Sequence, residues 1–170
     1  MYIDDIQDYF ETLCIQHTDV AHTTTAGGRR AFFKLQSMGE MQQLPNNAGD
    51  TLVIIERFTG RAVGEYDANK LRQFVTIRFA KLLELPANGD HEAAVATCMD
   101  EVYLLMLDFV SRMRFDFTAD SCAWLKYVDF SGISWAEFQG PVIERHYGWN
   151  LDIPFIAPMP TYRAGKWVIP

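Results

Sequence analysis

Cysteine is scarce in this sequence: Cys14, Cys98 and Cys122 are an odd number, far apart, with no CxxC spacing. A disulfide framework is therefore not expected, and a reducing interior suits the chain. Long apolar runs are also missing. The nearest stretch, 95–110, is interrupted by Asp100, Glu101 and Asp108, whereas a membrane span needs roughly 18 or more apolar residues. Met1-Tyr2-Ile3-Asp4-Asp5 has no basic region leading into an apolar run, so no secretory signal is expected and the protein should be made in the cytoplasm. Positive charge is short as well: 15 Lys and Arg face 22 Asp and Glu, a net charge of -7, and the densest basic pairs are Arg29 with Arg30 and Arg112 with Arg114. A nucleic-acid binder needs a concentrated positive footprint to displace phosphate counterions, so no direct nucleic-acid recognition is expected, and no membrane partner.

The usual chemical motifs are lacking too. Gly132-Ile133-Ser134 has no second glycine where a nucleophile elbow requires one. Gly27-Gly28 precedes a strand pattern rather than a helix, so it does not make a phosphate cradle. Cys14, His17 and His22 are the one sequence-local group of metal-ligand types, but zinc needs three or four ligands at fixed geometry and no second pair completes the set. His91 and His146 read as surface histidines, and Asp4 with Asp5, or Asp100 with Glu101, as solvated helix faces. The residues thus imply no catalytic site, no metal and no cofactor, and a protein that is not an enzyme.

What is present is a foldable core. Hydrophobic residues make up 49% and charged residues 22% of the chain, and a chain of this length buries roughly 70% of its unfolded surface, so one domain needs no staple. The strongest pattern lies between Asp90 and Arg114, where Val95, Met99, Val102, Met106, Phe109 and Met113 alternate steps of four and three along one helical face. Asp90 is a natural N-cap, Glu92 complements the positive end of the helix dipole, and Arg112 and Arg114 complement the other. Ile3, Ile6, Phe10 and Leu13 give an opening amphipathic helix of about four turns, with Asp4, Asp5, Asp8 and Glu11 on its other faces.

Between and after these helices the pattern is that of strands. Residues 30–35 suit a strand, and Thr51-Leu52-Val53-Ile54-Ile55 reads as a buried central one. Leu44-Pro45-Asn46-Asn47 and Thr59-Gly60-Arg61 read as turns, and Val75, Ile77 and Phe79 alternate on one side of a strand over 73–81. Cys122 to Phe130 is a strand by composition, broken at Ser131-Gly132 and resumed over Ile133 to Phe138. Tyr147, Trp149, Leu151, Ile153 and Phe155 form the clearest alternation, with Pro154 predicting an edge strand or one whose pairing ends there. The order implies an α+β fold over 1–156, a mostly antiparallel sheet packed against the long helix and the N-terminal helix, followed by a Pro-rich extended arm, 157–170.

Aromatics outside these stripes are the candidate functional residues. Trp135, Phe138, Tyr162 and Trp167 fall in loop-like or terminal segments, where large rings either fold back on their own domain or anchor a partner. The element order resembles that of phage tail terminators and related head-to-tail joining or minor tail proteins. Its carriers are the opening helix, the strand Leu52 to Phe58 with its hairpin partner Phe74 to Phe79, the helix Asp90 to Arg114 and the closing strand led by Gly148-Trp149-Asn150-Leu151. The resemblance implies a non-enzymatic virion subunit without cofactor, forming a homo-oligomeric ring and joining other virion or tail proteins. The other reading is a small cytoplasmic ligand-binding or enzymatic α+β domain with a pocket between sheet and helix.

Overall fold

The computed structural model describes residues 3–34, 48–56, 59–63, 70–84, 90–138 and 145–158. The expected turn at Leu44–Asn47, and residues 159–170 with Tyr162 and Trp167, lie outside the described residues. The elements run α1 (Ile3–Gln16), β1 (Arg30–Lys34), β2 (Ala48–Ile55), β3 (Thr59–Val63), β4 (Lys70–Leu82), α2 (His91–Thr118), β5 (Ser134–Phe138) and β6 (His146–Pro158). The protein is α+β. Its six-stranded sheet has the order β1-β2-β4-β6-β5, with β3 also paired to β4, and every pairing is antiparallel except β1 with β2.

Both helices lie on one face of this sheet. Alternation along the strands sends Val53, Ile55, Val75, Ile77, Phe79, Leu151, Ile153 and Phe155 to that face, where they meet Ile6, Phe10 and Leu13 of α1 and Val102, Met106, Phe109 and Met113 of α2. Phe109 is the hinge of this packing, stacked on Phe10 at 6.5 Å and edge-on to Phe79 at 5.0 Å. Each fully buried ring stabilises by about 1.5–3 kcal/mol. A smaller apolar cluster occupies the other face, where Leu52, Ile54 and Ala80 are buried against Phe33, Ala48 and Phe138. Having a core residue on either face, β2 is the central strand that its β-branched run predicts.

The long helix is capped as expected, the Asp90 carboxylate accepting from the backbone N–H groups of Glu92 and Ala93. Its buried stripe begins at Cys98 rather than Val95, and it runs four residues past Arg114 to Thr118. The extension follows the same spacing through Asp116, a carboxylate at a core position. Asp120, with φ 52, then turns the chain in the left-handed region that aspartate tolerates.

Three other expectations are corrected. Thr59-Gly60-Arg61 is not a turn: it opens β3, which continues the β2 row along β4 after one extra residue on its side, since Ile55 pairs with Ile77 but Thr59 with Phe74. The thirteen residues of β4 are long enough to hold both strands, and that pairing overrides the local turn preference of Thr-Gly. Cys122 to Phe130 is not a strand but a turn containing a 3₁₀ segment, Leu125–Tyr127. Trp124 and Leu125 are both buried, and a helical turn puts neighbours on one side where a strand would split them. Finally, β6 is not an edge strand but interior, between β4 and β5, and only its pairing with β5 ends ahead of Pro154, at Asp152. Its proline fits because the Pro154 carbonyl accepts from Asp129 N–H, on the β5 side, beyond the last β5 pair at Asp152. The missing N–H therefore faces the same way, and no bond to β4 is lost.

Candidate functional site

The four aromatic candidates do not form one patch. Trp135 and Phe138 both lie on β5, but three residues apart on a strand means opposite faces. Trp135 pairs with Leu151 on the helix-covered face, while Phe138 pairs with Gly148 and packs against Leu52, Ile54 and Ala80. Phe138 is thus part of the minor core. Glycine at 148 serves the close approach of β4, since a Cβ there would run into the Phe79 carbonyl oxygen. Tyr162 and Trp167 are outside the described residues.

Trp135 is different. It remains 45% exposed on a strand whose first four residues are all exposed, and its ring extends a row of aromatics across the molecule. Trp135 lies 6.4 Å from Tyr103, and Tyr103 lies 5.1 Å from Trp149. Trp149 is fixed in turn by its indole N–H, which donates to the Met99 carbonyl of α2 at 3.0 Å. The outermost ring therefore sits on a rigid base, as an interface anchor should. Tyr103 was not foreseen because it stands off the helical stripe, and only the sheet brings it to Trp135.

The backbone of β5 is an exposed edge with a defined pattern. In an antiparallel ladder alternate residues bond to the partner strand. Since Pro154 directs its carbonyl to the β5 side, residues of the same parity in β6, Asp152, Asn150 and Gly148, bond to Ser134, Ala136 and Phe138. The N–H and C=O groups of Trp135 and Glu137 consequently point outward. At the other end of the strand order, β1 is covered by its own chain. His22 Nδ1 accepts from Ala31 N–H at 3.1 Å, and Thr23 N–H donates to the Arg29 carbonyl at 3.0 Å. This is how a natural edge is blocked against stray pairing.

That geometry also accounts for the sequence-local Cys14, His17 and His22. Cys14 is fully buried in the main core, and burial, reinforced by nearby Glu11, drives its thiol well above the ordinary range. His22 spends Nδ1 on the β1 backbone and turns Nε2 toward Glu11 at 3.5 Å, while His17 turns Nε2 toward Asp108 at 3.5 Å. Among the described residues no three His, Cys, Asp or Glu side chains are grouped to hold a metal ion. His91 is exposed at the start of α2, but His146, expected on the surface, is buried as the first residue of β6.

The described residues bound several hollows. One of about 570 Å³ is bounded by Asp5, Asp8, Cys122, Trp124, Lys126 and Tyr127. Its single thiol, Cys122, is raised by desolvation, which keeps it protonated and a weak nucleophile. Beside it lies Asp116, the one buried carboxylate among the described residues, which accepts from Tyr9 Oη at 2.8 Å and from Arg112 Nε at 3.0 Å. Burial raises this carboxyl, but the Tyr9 and Arg112 hydrogen bonds outweigh it and hold the group below the usual carboxylate range. Tyr9 is shifted up, by its own burial first and by Asp116 next. The pair joins α1 to α2. Among the described residues no helix is long and apolar enough to cross a membrane.

No family model matches the chain, and no curated protein or solved structure matches it.

Proposed function

We propose that the chain is a non-enzymatic structural subunit that acts through self-assembly and protein contacts, as a tail terminator, neck or minor tail protein of a phage-like particle does. The observation that carries this reading is the β5 edge: an exposed strand bearing Trp135 on the rigid base of Tyr103 and Trp149. An open edge and an anchored, half-exposed tryptophan are costly features for a monomer and useful ones for an assembling subunit. The competing pocket reading has less support because the middle of the space between sheet and α2 is filled by Phe79, Met106, Phe109 and Phe155, all buried, and the hollow of about 440 Å³ between β4 and α2 lies out toward the start of the helix, bounded by Lys81, Leu83, Cys98 and Glu101. Light scattering on the purified chain across a hundredfold concentration range tests the proposal. Assembly above the 19.5 kDa mass of one chain is expected, with co-elution of tail-tube or neck proteins when these are co-expressed. A strictly monomeric protein that co-elutes with none of them would sink it.

A further inference from the structure

We infer that β5 pairs edge to edge with β5 of a second copy of this chain, antiparallel and centred on Ala136, so that two sheets become one. The inference rests on the self-assembly reading and specifies the surface that performs it. Its basis is the self-complementarity of the exposed edge. The outward-pointing backbone groups belong to Trp135 and Glu137, because Ser134, Ala136 and Phe138 turn theirs to β6. When two such strands meet about Ala136, each Trp135 faces the other copy's Glu137. Both positions are then hydrogen-bonded pairs, and each exchanges two N–H···O bonds.

Other registers fare worse. A slip of one residue sets outward groups against inward ones and forms no ladder. A slip of two leaves a single bonded pair, either Trp135 on Trp135 or Glu137 on Glu137, and the latter brings like charges side by side. In the favoured register the non-hydrogen-bonded centre, where Cα atoms approach to about 4.5 Å, is occupied by the small Ala136 from each copy. Trp135 and the partner strand's glutamate share the helix-covered face, so pairing covers the ring that is now 45% exposed.

The opposite end of the strand order argues for a like partner as well. A head-to-tail β5–β1 contact would have to displace His22 from the Ala31 N–H of β1, whereas β5 on β5 displaces none of the described residues. Such a contact is isologous and closes at two copies. Any larger ring must then be built from these pairs through other surfaces.

Two substitutions test it. Glu137→Pro removes an outward N–H and no bond to β6, so the fold should be kept while the scattering mass falls to half. Ala136→Cys, in a Cys122→Ser background that leaves only the buried Cys14 and Cys98, should cross-link to a covalent dimer on mild oxidation, since the paired Cα atoms lie within disulfide reach. Ser134→Cys in the same background should not, because that position faces Phe138 of the other copy. If the parent chain associates but Glu137→Pro associates equally and Ala136→Cys cross-links no faster than Ser134→Cys, the β5 pairing is wrong while self-assembly stands. A parent chain that stays monomeric overturns both. Should Glu137→Pro unfold, the cysteine comparison alone decides.

Discussion

Asp116 stands three residues after Met113, at the next position of the core stripe, yet it is a carboxylate only 5% exposed. Tyr9 and Arg112 supply the donors that make this tolerable, and Ser121 binds its backbone carbonyl through both N–H and hydroxyl. Because the folded carboxyl is held below its unfolded value of about 3.9, it stabilises the fold fully above that pH. The contribution drains away as pH falls through the lower, folded value. Urea denaturation of the parent and of Asp116→Asn should therefore show a clear stability gap at pH 6 that narrows at pH 3. A gap of the same size at both would mean that the ion is not what Tyr9 and Arg112 recognise. The residue was illegible in the sequence because the apolar stripe breaks visually at Asp116, and its hydroxyl partner lies 107 positions away. Trp135 and Phe138 carried the same ambiguity, for composition marks both as displaced aromatics and only the strand register sends one to the minor core and the other to the surface.

At the scale of elements, α2 is the piece on which the sheet's main face closes. Met106 is fully buried, and Met106→Asp would place an unpaired carboxylate there at a cost of several kcal/mol against a total stability of about 5–15 kcal/mol. Circular dichroism should find this variant largely unfolded at room temperature. A melting point within a few degrees of the parent would contradict the packing of α2. Elements set by a residue's own neighbours were the legible ones: both helices from their 3.6-residue stripes, β2 from its branched run, and β4 and β6 from alternation. Those decided by distant partners were not. The row β2–β3 depends on the length of β4, the turn at Leu125–Tyr127 on the burial of Trp124 beside Leu125, and the interior position of β6 on which edge Pro154 presents.

For the whole molecule, Ala157 and Pro158, expected to open a Pro-rich arm over 157–170, pair with Leu71 and Lys70 in the sheet. Deleting 159–170 spares every described strand. It should lower the melting temperature by only a few degrees while weakening assembly beyond the pair, or binding to a partner, by tenfold or more. Calorimetry and light scattering at matched concentration distinguish this from the outcome in which the cut protein unfolds and the arm's Tyr162 and Trp167 prove to be core. The pairing of β4 with β6 has a further consequence, in time rather than in space. These two strands hold the middle of the sheet, yet Pro158 follows Leu82 by 76 positions in the chain. At about 5–20 residues per second on the ribosome, β4 waits for several seconds with Val75, Ile77 and Phe79 made and its partner strand not yet synthesised. Contacts so distant in sequence close slowly even once the chain is free. The nascent protein thus passes through a stage in which β4, paired with β2 and β3 on one side, has its other edge open, and holding chaperones should raise its soluble yield more than they raise that of a helical protein of equal size.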